Sequence, residues 1–414
     1  MGESNLKSKG GFAMGKNRKF VLIFLIFLGS FVFSNYGYYC CGADVIKIGV
    51  TPDLTGRTSE VGIPWNEGIK DYFKFLNDTG GIGGRNVELM ITDCQKQIPQ
   101  EVSAYKKYLR GGKTPMVFTW DTGASMTIAS MAAKDKVVQV TGSLIGQLGD
   151  ATKKPYTFLA GTSYQRQIEC LVNYALSEFK GKGGKPTFAI TYPDAPYGRM
   201  CLGALKEVMK KKDLQLVKSV IVPVRVLDAR VQMSKIKKAN PNFVLTFGVE
   251  PTIATVMKDA ERVGISLEKT RFLVPINAIQ RKVIELGGDV VDSLVGASPF
   301  CLWNDTDVKG IQLMHKINKK YHPDITYRRL WYTYGFVSAS IVGEGLKRIP
   351  AGQEISGEAL KNGLETLKDF SCGGIISPFS YTQTDHSGPR AVKLVSPDVK
   401  KNLLEPVSGW VYAD

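Results

Sequence analysis

From residue 45 onward the chain alternates short apolar runs with amphipathic stretches, and the period of the apolar positions switches between two and 3.6. Residues 45–50 read as a strand. Residues 65–77 then set Ile69, Tyr72, Phe73 and Leu76 on one helical face, and Gly80 and Gly81 stop that helix. Residues 87–92 form the next strand. A second helix carries Val102, Tyr105, Tyr108 and Leu109 and ends at Gly111 and Gly112. A strand over 116–120, a helix over 125–134 and a strand over 137–141 complete a β-α-β-α-β-α-β series, the pattern of a parallel sheet covered by helices. The rhythm then restarts. Strands are expected over 187–191, 217–222, 243–247, 271–274 and 293–296, with helices over 201–211, 229–239 and 253–263 between them. Residues 156–160 read as a link between the two series. Three further helices are expected over 308–321, 330–348 and 357–367, and the tail from Ser380 reads as a turn-rich β segment. Two similar α/β units in tandem imply two lobes with a crevice between them.

The N-terminus reads as an address rather than as part of a domain. Lys16, Arg18 and Lys19 precede an apolar run over 20–33 that is shorter than the about 20 residues a membrane helix needs. Small residues follow, with Cys41-Gly42-Ala43 as a cleavage triplet, so residues 1–43 are expected to be an export signal and Met14 to be the start; a retained anchor is the alternative. Lipid attachment at Cys40 or Cys41 is disfavoured because Tyr38 and Tyr39 stand where small or aliphatic residues belong. No later window is apolar for long enough to span a bilayer. With 43% hydrophobic and 22% charged residues, wholesale disorder is excluded.

The net charge of +16 falls to +12 once the five basic residues and the single acid of the leader are removed. Basic residues such as Lys206, Lys210, Lys211 and Lys212 lie dispersed along helix faces, which reads as a solvated surface rather than a nucleic-acid arm. Five cysteines remain after the leader: Cys94, Cys170, Cys201, Cys301 and Cys372. Their long spacings and the absence of CxxC argue against zinc, and an odd count leaves at least one thiol unpaired.

Reactive centres are hard to find. Histidine occurs only at 315, 322 and 386, and neither HExxH nor GxSxG is present. Gly112-Lys113-Thr114 resembles the end of a phosphate loop, but Lys107 stands where its first glycine is needed, and the segment follows a helix instead of a strand. Residues 80–84 fail as a dinucleotide loop for the same reason and read as a helix cap. No catalysis, metal or cofactor is indicated. What remains is a set of polar loops at the carboxyl ends of expected strands, where open α/β sheets bind ligands. In residues 120–125, Thr122 and Ser125 offer hydroxyls beside the unpaired N–H groups of a helix start, a setting for a carboxylate; equally, Asp121, Thr122 or Ser125 simply caps that helix. Residues 141–146 carry the same two readings. In residues 192–198, Tyr197 either projects into the crevice or packs locally.

These loops belong to a longer ordered set. Residues 46–56 (IKIGVTPDLTG), residues 77–85 (NDTGGIGGR) followed by Val87-Glu-Leu, and Asp93 before a turn containing Cys and Pro form its first part. The loop from Thr122 to Ser125, Pro155-Tyr-Thr-Phe, residues 194–198 and residues 243–248 (FVLTFG) follow in order. From about Ile46 to the C-terminus the chain resembles the leucine/isoleucine/valine-type solute-binding proteins of ABC transporters, which have the type 1 periplasmic binding fold. The resemblance implies two Rossmann-like α/β lobes joined by several crossover segments, with residues 44–162 plus 297–375 as lobe 1 and 163–296 plus 376–414 as lobe 2. It implies that Thr122 and the stretch from Ser143 to Ile145 take a ligand carboxylate, and that Tyr197 meets the amino end. It further implies that Val61 lines the side-chain pocket with Trp120 close by. Two departures stand out. The family's acidic partner for an ammonium comes from the loop after Pro275, where this chain has Ile276 and Asn277. Either Glu250 substitutes for that acid, or the ligand has no ammonium. A small disulfide seen in some members would need a cysteine near position 121 to pair with Cys94, and none is there.

Asp121 beside a carboxylate site costs affinity unless it caps the helix or meets a cation. The implied function is an extracytoplasmic, periplasmic binding protein that works as a monomer without cofactors. It would deliver a branched-chain or other amino acid, or a related carboxylate or amide, to an ABC permease complex. A ligand-sensing module docking to a membrane sensor and an exported α/β enzyme are the rival readings.

Overall fold

The computed structural model describes Gly10 and residues 45–414, so the expected export signal over 1–43, with Met14, Cys40 and Cys41, lies outside the described residues apart from that glycine. Short Ile/Val-rich runs buried on both faces are what parallel sheets require, and two such sheets form the described body. In the first, β1 (Ile46–Val50) pairs in parallel with β2 (Val87–Ile91) on one side and with β3 (Met116–Thr119) on the other. β4 (Val138–Thr141) and β5 (Thr157–Leu159) extend it, giving the order β2-β1-β3-β4-β5. Helices α1 (Ser59–Asp78), α2 (Ile98–Arg110) and α3 (Thr122–Asp135) connect its strands. After α4 (Tyr164–Phe179) the second sheet begins. β6 (Thr187–Tyr192), β7 (Gln215–Ile221), β8 (Phe243–Thr246), β9 (Arg271–Val274) and β10 (Val295–Ser298) are parallel, in the order β7-β6-β8-β9-β10. Helices α5 (Pro196–Lys211), α6 (Arg230–Ala239), α7 (Glu250–Arg262) and α8 (Arg281–Gly287) link them. Both sheets therefore repeat one doubly wound order, each with a switch point where the chain leaves adjacent strands in opposite directions: β1/β3 in the first, β6/β8 in the second.

The chain then returns to the first sheet. Of α9 (Lys309–Tyr321), α10 (Leu330–Lys347) and α11 (Gly357–Glu365), α9 and α10 pack against α1, while α11 touches α10 and β4. It crosses once more to add β11 (Ala391–Asp398) and β12 (Leu403–Tyr412) as an antiparallel extension beside β10. Three crossings join the sheets: one after β5, one after β10 and one before β11. The last comes later than the change of lobe expected at 375/376. Residues 379–386 still cling to the first sheet's edge, where the Tyr381 hydroxyl donates to the Leu159 carbonyl at 2.7 Å and buried His386 stacks on Phe158 at 3.7 Å.

Three local expectations change. Residues 156–160 are not a mere link, because Thr157–Leu159 pairs with β4 as an edge strand. Helix α4 has no counterpart among the expected elements, although Ser163 caps it by accepting from the Arg166 N–H at 3.4 Å, and Ile168, Leu171, Val172 and Ala175 form its buried face. Helix α1 starts at Ser59, six residues before the expected 65, and runs through Pro64. Proline lacks the N–H that would bond to the carbonyl four residues back, and that carbonyl, Glu60 O, instead accepts from the Arg329 guanidinium at 2.7 Å.

The tightest helix contact in the first half is that of α1 with α10. A Cβ at Gly335 would stand 1.9 Å from the Trp65 carbonyl oxygen, and one at Gly68 would stand 2.1 Å from the Tyr332 carbonyl oxygen, so the two backbones touch directly. Charged groups fix the pair further. Tyr332 donates to Asp71 at 2.9 Å, and Arg328 donates to Glu67 at 2.6 Å. Gly335→Ala is therefore expected to lower stability by about 1–3 kcal/mol through overpacking. Urea unfolding measures this, and an unchanged midpoint would show that the helices separate without cost.

Candidate ligand-binding site

The loops at the two switch points face one another around a partly enclosed cavity of about 180 Å³. Its first wall begins with the turn after β1. Asp53, fully buried, accepts from the Gly56 N–H at 2.6 Å, the Thr58 N–H at 2.8 Å and the Thr58 hydroxyl at 2.6 Å, which folds Arg57 and Thr58 into the cavity wall. Thr58 in turn accepts from the Trp120 indole N–H at 3.0 Å. Trp120 thus stands at the tip of β3 with its ring fixed, 5.7 Å from the ring of Trp331 at the start of α10.

Behind this tip lies Glu101 of α2. Its carboxylate accepts the backbone N–H groups of Trp120 and Asp121 and the Thr51 hydroxyl. Burial pushes its pKa up to about 7 against the pull of those donors. Asp121 resolves the question of the acid beside the helix start. It is the N-cap of α3, with Oδ1 accepting from the Gly123 and Ala124 N–H groups at 2.7 and 3.2 Å, and Oδ2 meets Lys96 at 2.5 Å. Burial pushes the carboxyl up, but Lys96 and the helix N–H groups outweigh it and hold the pKa below the ordinary carboxylate range.

Helix α3 consequently starts at Thr122, three residues before the expected 125. Ser125 is turned inward, bonded to the Thr119 and Thr141 hydroxyls at 2.9 Å each. Thr141 also accepts from the Ser143 N–H at 2.9 Å, and the Ser143 hydroxyl meets that of Thr122 at 2.9 Å. A buried hydroxyl chain therefore sets Thr122 and Ser143 side by side at the cavity edge, on the positive end of α3.

The second wall comes from the other sheet. Tyr197, in the first turn of α5, lies edge-on to Tyr164 at 5.2 Å and to Phe247 at 6.2 Å. Asn277, in the loop after β9, donates through Nδ2 to the Tyr164 hydroxyl at 3.1 Å. Val224 and Val249 add apolar surface. Three polar atoms in these walls are buried without a hydrogen-bond partner: the Tyr197 hydroxyl, Asn277 Oδ1 and Trp331 Nε1. Buried polar groups are normally satisfied, and here three of them leave donor and acceptor capacity in one cavity wall that no protein group uses.

Of the expected site residues, Val61, Trp120, Thr122, Ser143, Tyr197 and Asn277 line this cavity together. Ile145 does not; it is fully buried, just before a short 3-10 turn. Glu250 does not either. It is fully buried at the start of α7 and pairs with Arg329. Glu60 likewise meets Arg225 at 2.6 Å, so each acid forms an ion pair that joins the first half to the second. Thr58, Lys96, Tyr164 and Trp331 line the cavity but escaped sequence reasoning. Thr58 was within reach, since it follows the tip of the first strand. Trp331 was not, because nothing local says that a helix more than two hundred residues later returns to this cleft.

Among the described residues no group of three His, Cys, Asp or Glu is placed to hold a metal ion, and Cys94, Cys170, Cys201, Cys301 and Cys372 are buried free thiols. No helix among them is long and apolar enough to cross a membrane.

The comparisons agree with this architecture. The family model described as periplasmic binding protein matches residues 45–402. The leucine-, isoleucine-, valine-, threonine-, and alanine-binding protein of Pseudomonas aeruginosa is 20% identical over 280 residues, covering 67% of this chain and 73% of that protein. The Leu/Ile/Val-binding protein of Escherichia coli is 20% identical over 259 residues, 62% of this chain and 68% of that one. Among solved structures, a branched chain amino acid ABC transporter protein from Thermus thermophilus with bound valine superposes with a TM-score of 0.82 at 22% identity, over 90% of this chain and 97% of that chain. A fatty acid ABC transporter substrate-binding protein from Thermomonospora curvata gives a TM-score of 0.78 at 19% identity, over 90% and 94%.

Burial carries the Glu250 carboxyl from 4.5 up to about 7, with Arg329 opposing the rise. A raised native pKa gives a contribution to stability that is complete below the unfolded value and lost as pH rises through the native one. Compared with Glu250→Gln, the parent protein is therefore expected to lose unfolding free energy between pH 4.5 and about 7. Denaturant midpoints of both proteins at about pH 5 and about pH 7.5 test this; parallel profiles would mean that the carboxyl titrates alike folded and unfolded.

Proposed function

The chain belongs to the periplasmic binding protein family, a type 1 α/β fold whose members serve ABC transporters as binding proteins and not as enzymes. On that premise we propose that it is an extracytoplasmic receptor that holds a small carboxylate between its two sheets and hands it, unchanged, to an ABC permease complex. The observation that carries the reading is the convergence of unsatisfied buried polar atoms from both halves on one cavity: Trp331 Nε1 from the first, the Tyr197 hydroxyl and Asn277 Oδ1 from the second. A reaction needs a nucleophile or a general base within reach of a substrate. This cavity offers neither free carboxylate nor imidazole, only donors, acceptors and apolar surface.

In this reading the half built on β1–β5 with α9–α11 and residues 379–386 works as one lobe, and the half built on β6–β10 with β11 and β12 works as the other. The carboxylate rests against the start of α3, taking the Thr122 and Ser143 hydroxyls, and Tyr197 closes over it from the opposite lobe. Closure is favoured by whatever contacts exist only in the closed arrangement. The Glu60–Arg225 and Glu250–Arg329 pairs supply such contacts at the protein's own expense of desolvation, and the ligand supplies the rest. The protein acts as a monomer, since each cavity is completed by two halves of a single chain.

Tyr197→Phe removes a hydroxyl that has no protein partner, so folding is expected to be unaffected while ligand affinity falls. Thr122→Ala removes a hydroxyl bonded only to Ser143. Each variant should weaken binding about tenfold to a hundredfold, the scale of one hydrogen bond to a charged group. The measurement is calorimetry with whichever carboxylate most raises the melting temperature in a thermal-shift screen of amino acids, amides and other organic acids. Unchanged affinity in both variants would remove these residues from the site.

A further inference from the structure

The cavity's charges are unevenly committed. Arg57, Lys96 and Asp121 are the ionised side chains among its lining residues. Asp121 already accepts from two α3 N–H groups and from Lys96, whereas Arg57 has no ion-pair partner among the described residues. No other carboxylate lines the cavity among the described residues. Glu250 is turned away to Arg329, and Glu101 lies behind the Trp120 and Asp121 peptides that it holds. An anion entering here meets Arg57, two hydroxyls and a helix start. An ammonium meets no free negative charge, and burying one unpaired costs several kcal/mol.

The unsatisfied atoms narrow the choice further. Asn277 uses Nδ2 on Tyr164, so its free atom is the acceptor Oδ1, while Trp331 Nε1 is a donor and the Tyr197 hydroxyl can act either way. A guest that donates one hydrogen bond to Asn277 without bringing a positive charge fits these atoms. A hydroxyl meets both conditions. Around these atoms the walls are Trp120 and Trp331, Val61 and Val249, which suit a branched or aromatic body. Resting on the function proposed above, we propose that the ligand is a monocarboxylate with an apolar body that carries a neutral hydroxyl where an amino acid carries its ammonium. Asn277 is then the residue that sets this preference.

Two matched pairs test it: phenylalanine against phenyllactate, and leucine against its α-hydroxy analogue, each differing only by ammonium or hydroxyl. Calorimetry on the unmodified protein should give at least about tenfold tighter binding to a hydroxy acid than to its amino partner. Asn277→Asp, which introduces a negative charge at that position, should shift this ratio by about tenfold or more toward the amino acid. Amino acids that bind as tightly as their hydroxy partners would overturn the inference and leave the receptor reading standing. A ratio that Asn277→Asp does not move would overturn it as well. If no member of either pair binds, this inference fails with the carboxylate reading it rests on.

Discussion

A parallel strand stops donating and accepting ladder hydrogen bonds at its carboxyl end, and at a switch point the neighbouring connections leave in opposite directions, so the tip stays uncovered. This constraint organises the molecule. Both sheets carry the same doubly wound order, and in each the open tips, β1/β3 and β6/β8, face the shared cavity. A handful of peptide and side-chain groups at these tips is held rigid by its surroundings while part of its hydrogen-bonding capacity stays unused.

Rigidity comes from buried polar groups that spend their hydrogen bonds on the loops. Asp53 holds the turn after β1, Glu101 holds the Trp120 and Asp121 peptides, and the Thr119–Ser125–Thr141–Ser143 chain holds the hydroxyls at the start of α3. Each is an acid or hydroxyl that would be costly to bury alone and is stable only because its partners are in place. The unsatisfied atoms lie where these networks end. Asn277 gives its amide N–H to Tyr164 and keeps its oxygen free, and Tyr197 packs its ring on Tyr164 and Phe247 and keeps its hydroxyl free.

The two halves are tied at a second level by charge. Arg329 links the Glu60 carbonyl, freed by Pro64, to the Glu250 carboxylate of the second half, and Arg225 of the second half reaches back to the Glu60 side chain. A proline inside a helix, a backbone acceptor and a buried carboxylate, unremarkable one by one, together make a cross-brace beside the cavity. This brace explains why Glu250 stands near the cleft without lining it.

Much of this was legible in the sequence, because strand and helix periodicity and the polar residues that follow each strand are local properties. The two α/β series, the parallel sheets, and Val61, Trp120, Thr122, Ser143, Tyr197 and Asn277 as residues that follow the strand tips come from patterns a few residues long or from the resemblance those patterns carry. Tertiary structure decided the rest. It placed Trp331 in the cleft wall, took Ile145 into the core, turned Glu250 to Arg329 and gave Asp121 both a helix and a lysine to neutralise. Each of those outcomes depends on which groups meet across tens or hundreds of residues. A local pattern can say that a carboxylate is present, but only the packed chain determines which cation reaches it first.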